Sequence, residues 1–111
     1  ILLAAECSDG FPHHGNFARL VFEHDSPQAM LDSVYQPGFR LLDQWQIQKL
    51  AQVQMKARVS VYSQIPAEQI RKADLIPVIN IHEYLNQTRI KLGDVPIAVL
   101  PEGPLTIPYL L

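Results

Sequence analysis

Ile1-Leu2-Leu3-Ala4-Ala5 is a continuous apolar run without polar alternation, broken by Ser8-Asp9-Gly10 and Pro12. Strand side chains point to alternate faces, so a run that is apolar at every position fits a strand covered on both, as in a parallel sheet. Two later runs read the same way. Val59-Ser60-Val61-Tyr62 is closed by Ser63 to Pro66, and Ile97-Ala98-Val99-Leu100 by Pro101-Glu102-Gly103-Pro104.

Helical patterns fill the intervals. Asn16 to Glu23 fits one helix, and Gln28 to Val34 another, with Ser26 as N-cap, Pro27 at the first helical position and Pro37-Gly38 as its end. Leu41 to Ala57 carries the clearest periodicity, Leu42, Ile47, Leu50, Val53 and Ala57 falling on one side. Pro66 to Ala73 predicts a short helix terminated by Leu75-Ile76-Pro77. Asn80-Ile81-His82-Glu83 resembles a capping box for a helix running to Leu92, with Gly93 as its C-cap. Strand, helices, strand, helices, strand is the order that builds a parallel sheet through right-handed crossovers. The predicted fold is therefore α/β, a three-layer sandwich with a mainly parallel, Rossmann-like sheet, formed as one domain over residues 1–111. Turns that follow the strands gather at one edge of such a sheet, where ligands bind; here they are residues 6–12, 63–66 and 101–104.

The composition narrows the partners. The chain has 111 residues, is 48% apolar and carries a net charge of −2, its nine basic residues being scattered, so nucleic acid and anionic membranes are not expected partners. The run at residues 1–5 is far short of the roughly 20 residues that span a bilayer. It lacks the initiator Met and basic flank of a secretory signal, and Glu6 spoils Ala4-Ala5-Glu6-Cys7 as a lipid-attachment site. We expect residue 1 to lie inside a fold element, and the chain to be a piece of a longer protein. A single cysteine, Cys7, excludes an internal disulfide framework and a CxxC metal site, and suits a reducing cytoplasm.

Few groups suggest chemistry. Cys7, Asp9 and His13 can be drawn as a metal site, but adjacent His13 and His14 aim poorly at one ion and the spacing matches no standard motif, so no metal site is expected. His24 reads as a surface residue near a helix C-terminus and His82 as a first-turn residue. Cys7 lies just past a strand, where nucleophiles often sit; no Lys or Arg adjoins it, and Glu6 and Asp9 work against a thiolate, which favours an inert, buried thiol. Ser8 lacks the preceding glycine of a nucleophile elbow. Neither G-x-G-x-x-G nor G-x-x-x-x-G-K-[ST] occurs, so the chain is no self-sufficient nucleotide site, although the loop from Gly10 to Gly15 is flexible enough for a lid or a phosphate approach.

Asp43-Gln44-Trp45-Gln46 is the most informative segment. On a helical projection Trp45, the sole tryptophan, lies about 120° from the centre of the apolar stripe, among Gln48, Lys49, Gln52 and Lys56. Two readings follow: a contact for a partner domain or ligand, whose large rigid surface gains most when desolvated, or a half-exposed indole bedded by a neighbouring helix. With Asp43 as N-cap, Trp45 also falls in the first turn, where free N–H groups and the helix dipole favour an anion.

Leu3-Ala4-Ala5-Glu6-Cys7-Ser8-Asp9-Gly10-Phe11, Asp43-Gln44-Trp45-Gln46-Ile47-Gln48-Lys49-Leu50-Ala51 and Val99-Leu100-Pro101-Glu102-Gly103-Pro104 together resemble the C-terminal domain of the nickel-dependent lactate racemase family, in the same order and over nearly the whole chain. The D-Q-W-Q segment is fairly specific, and P-E-G-P is weaker alone. The resemblance implies most of the C-terminal domain of a two-domain enzyme that inverts a 2-hydroxy acid by transient hydride transfer to a nickel-pincer nucleotide. It places the cofactor-attaching lysine, the nickel-ligand histidine and the acid/base histidines in the N-terminal domain, so this chain holds no catalytic residue and no cofactor. The substrate-binding Gln and Lys of the family's C-terminal domain precede the first strand and are missing too. Trp45 matches the tryptophan that lines the interdomain cleft near substrate, while Asp9, Gly10 and Gln44 are expected to shape that cleft. The implied partners are the protein's own N-terminal domain and a small 2-hydroxy acid. A non-catalytic α/β interaction or regulatory domain is the alternative, and sequence upstream of Ile1 discriminates the two.

Overall fold

The computed structural model describes residues 1–107. Two compact units divide the chain, one spanning Ile1–Ile81 and the other starting at His82. The elements are β1 (Leu2–Ala4), α1 (Phe17–Phe22), α2 (Pro27–Val34), α3 (Gln44–Gln54), β2 (Ser60–Tyr62), α4 (Ala67–Lys72), β3 (Ile76–Pro77) and α5 (Ile81–Leu92), followed by a 3-10 turn at Gly103–Leu105.

The fold is α/β on a parallel sheet. Its strand order is β1-β2-β3, with Leu3, Val61 and Pro77 in register and both pairings parallel. Ladder bonds extend beyond the strands, from Ser60 N–H to the Ile1 carbonyl (2.8 Å), Ala5 N–H to Tyr62 (3.0 Å), and Val78 N–H to Val61 (2.8 Å). As the central strand β2 is best covered, Ser60 and Val61 being buried.

The first two strands form where expected, although β1 is not covered on both faces, Leu3 and Ala4 being exposed, and the third strand is corrected. Ile97-Ala98-Val99-Leu100 forms no strand, and Val99 is 77% exposed. The third strand is instead β3, drawn from Leu75-Ile76-Pro77, which read as a helix terminator. Two residues are too few to show periodicity, and Pro77, which has no N–H to donate, suits a sheet edge. An apolar run becomes a strand only where a ladder partner and a covered face are available.

Both crossovers advance in the same direction across the sheet. For right-handed connections this places α1–α3 and α4 on one face. The contacts agree: Gln54 on α3 donates from Nε2 to the carbonyls of Ala73 (2.7 Å) and Asp74 (3.1 Å) just past α4. Beneath them lies one cluster containing Phe11, Leu20, Val21, Met30, Ile47 and Ala73. Phe11 joins it to the loop after β1 by packing on Phe17 and Phe22, with centroids 5.8 and 4.7 Å away. The Ser26 hydroxyl accepts from Ala29 N–H at 3.2 Å, so α2 begins with the cap and first-turn proline that its sequence announces.

The helix expected over Leu41 to Ala57 is shorter, because Asp43 adopts the left-handed conformation (φ 72°, ψ 2°) immediately before α3. Its buried stripe shifts accordingly. Ile47 and Ala51 are buried and Leu50 half-buried, whereas Leu42 and Val53 are exposed.

Candidate functional site

The loops that leave β1 and β2 are bonded side by side at the carboxyl edge of the sheet. Gln64 N–H donates to the Glu6 carbonyl (3.0 Å), and the Gln64 side-chain amide to the Glu6 carboxylate (3.3 Å). They border a half-open cavity of about 650 Å³ whose wall includes Glu6, Tyr62, Ser63, Gln64, Ile70 and Val78. Downstream, Gly10 N–H bonds the Cys7 carbonyl at 2.9 Å and closes a turn over Ser8 and Asp9, with positive φ at Cys7 and Gly10 (52° and 75°). Asp9 is exposed in this turn and Gly10 half-buried, and neither lines the cavity. The Cys7 thiol is free and half-buried, less covered than the sequence suggests.

A second constellation surrounds Trp45. Residues 41–44 form a turn closed in both directions: Gln44 N–H donates to the Leu41 carbonyl (3.2 Å), and Leu41 N–H to Gln44 Oε1 (3.0 Å). Asp43 holds the third position of this turn, where a left-handed residue is needed and glycine is usual. It also occupies the N-cap position of α3, but its side chain makes no cap bond there. Its Oδ2 instead accepts the backbone N–H of Asn16, at the start of α1, at 2.8 Å. Two residues on, Trp45 is 63% exposed. Trp45, Gln48, Lys49 and Gln52 share one side of α3 by helical spacing, and the amides of Gln48 and Gln52 both donate to the Tyr35 hydroxyl after α2 (3.1 and 3.2 Å).

The chain path connects the two constellations. The loop that starts at Asp9-Gly10 ends at Gly15-Asn16, where the Asp43 carboxylate receives it. Gln44 and Trp45 are thus joined to that loop through Asp43. Sequence reading marked Asp43 as a cap; the tie to Asn16 depends on a left-handed backbone and a contact 27 positions away, neither of which a local pattern reveals.

The histidines are dispersed. His13 and His14 are exposed, His24 Nδ1 lies 2.6 Å from the Leu20 carbonyl, and His82 Nε2 pairs with Asn86 at 3.0 Å. Among the described residues no three His, Cys, Asp or Glu side chains are grouped to hold a metal ion. No helix among them is long and apolar enough to cross a membrane.

Comparison with known proteins adds three findings. Residues 1–107 match the family model described as the lactate racemase C-terminal domain. No curated protein matches the chain. Among solved structures, the lactate racemase apoprotein from Thermoanaerobacterium thermosaccharolyticum is similar at 26% identity with a TM-score of 0.70, over 85% of this chain and 23% of that one. The chain thus spans under a quarter of the length of that protein. With the family model matching nearly every residue, the chain belongs to the lactate racemase C-terminal domain family.

Proposed function

We propose that the chain is the C-terminal, substrate-cleft domain of a lactate racemase-like enzyme, an isomerase interconverting the stereoisomers of a 2-hydroxy acid in the cytoplasm. Its partner is the protein's own N-terminal domain. The family match over residues 1–107 carries this reading. The nickel-pincer nucleotide implied by the resemblance does not fit this chain, whose histidines are scattered and whose described residues include no three-ligand group. We assign the cofactor and its hydride chemistry to the N-terminal domain.

What this chain contributes is a wall. Trp45 has its indole largely in solvent on a helix otherwise anchored by buried Ile47 and Ala51. A second domain closing over it would gain a broad apolar surface and exclude water, and chemistry that moves a hydride benefits from a dry site. To Asp9, Gly10 and Gln44 we assign the shaping of that cleft. In the two-domain enzyme, Trp45→Ala is expected to lower kcat/KM at least about tenfold, with nickel content unchanged, as loss of a positioning surface does. Unchanged turnover would remove the cleft role, and an inactive parent enzyme would favour a non-catalytic interaction domain.

A further inference from the structure

We infer that Asp43 is a positioning residue for Trp45, its carboxylate holding the first turn of α3 against the start of α1. The inference rests on the cleft role proposed for Trp45 and deepens it.

Three observations meet at one carboxylate. Asp43 adopts φ 72°, a conformation that favours glycine and is uncommon for any residue with a Cβ. A glycine would satisfy this turn on backbone grounds, and the side chain present instead is one that can accept hydrogen bonds. That side chain leaves the N–H groups of its own helix uncapped and accepts from Asn16 N–H at 2.8 Å, in a half-buried setting. Facing it is Gly15, at φ 70°, where a Cβ would overlap the Asp43 carboxylate. The fit is therefore close on both sides: a left-handed Asp presents the acceptor, and a left-handed Gly makes room for it.

The consequence falls on Trp45. A charge-assisted hydrogen bond is among the stronger and more directional contacts available at such a site. Asp43 precedes Trp45 by two residues, and its carbonyl accepts the N–H groups of Gln46 (3.0 Å) and Ile47 (3.3 Å), so it is the peg from which α3 starts. Fixing its carboxylate fixes where the helix begins and where the indole on its first turn stands. Ile47 anchors the same turn from the core side. The reciprocal Leu41–Gln44 bonds close the turn locally, whereas the Asp43 tie refers it to the start of α1.

A double-mutant cycle in the two-domain enzyme, combined with tryptophan fluorescence of this chain, tests the inference. Asp43→Ala is expected to lower kcat/KM about tenfold. Asp43→Asn, which keeps an acceptor oxygen and tolerates positive φ, is expected to restore most of it. Asp43→Ala in a Trp45→Ala background is expected to cost less than about threefold more, since the two residues act as a unit. Trp45 is the only indole in this chain; its anisotropy should fall in Asp43→Ala and in Gly15→Ala, and hold in Asp43→Asn. Wild-type kcat/KM in Asp43→Ala, or an equal loss in both backgrounds, would overturn the positioning role while leaving the cleft reading intact. Wild-type kcat/KM in Trp45→Ala would instead remove the cleft reading, and unchanged anisotropy in the Asp43 and Gly15 variants would remove the clasp itself. Should Asp43→Ala fail to fold, Gly15→Ala and Asp43→Asn decide by the same measurements.

Discussion

Trp45 and Ile47 lie two positions apart on α3 in opposite environments, 63% exposed and 1% exposed. Area buried against neighbours, and not size alone, sets what truncation costs. Ile47→Ala removes methyl groups from a packed cluster and is expected to destabilise the chain by about 2–5 kcal/mol. Trp45→Ala removes a larger side chain from the surface and is expected to cost about 1 kcal/mol or less. Urea unfolding of the two variants measures both, and a Trp45→Ala loss above about 3 kcal/mol would tie the indole to the core and away from a cleft. Ser26 is the intermediate case. Its hydroxyl accepts one first-turn N–H of α2 at 3.2 Å, so Ser26→Ala is expected to cost about 1 kcal/mol in the same assay.

At the scale of elements, hydrogen exchange separates the real third strand from the apparent one. Ile76 N–H bonds the Val59 carbonyl at 3.0 Å and Val78 N–H that of Val61 at 2.8 Å, both against the central strand. Their amides are expected to exchange orders of magnitude more slowly than those of Ile97, Val99 and Leu100, which lie in an exposed segment without regular structure. Comparable rates in the two segments would contradict the sheet assignment. The difference also explains what the sequence could show. Runs 1–5 and 59–62 are legible as strands because each is short, mainly apolar and bounded by turn chemistry, and α2 is legible from Ser26-Pro27 because cap bonds form within one turn. β3 is not, since its two residues carry no period and Pro77 reads as a breaker. The start of α3 is not legible for a related reason: Leu41 and Leu42 continue its apolar pattern, while the left-handed Asp43 that ends it is visible only in the backbone. For the candidate site, Trp45 stood out by composition and projection, whereas the Asp43–Asn16 tie spans two helices and leaves no local mark.

At the scale of the molecule, the distribution of the core decides which part of the chain carries the fold. Every member of the buried cluster falls between Phe11 and Ala73, and the sheet ends at Pro77 with its last ladder bond from Val78. From Lys91 to Leu100 every residue is exposed. Burial supplies most of the driving force for folding, so the segment that holds the cluster should hold the cooperativity. A chain cut after Ile81 retains the sheet, α1 to α4, the cluster and the Asp43 tie. It is expected to unfold in a single cooperative transition, with a circular dichroism signal reduced in proportion to the loss of α5 and a midpoint close to that of the 111-residue chain. A truncated chain that melts without cooperativity would mean that residues beyond Ile81 supply burial the first unit needs. Trp45→Ala and Ile47→Ala placed in the truncated chain should also keep the difference they show in the longer one, because both belong to the unit that remains.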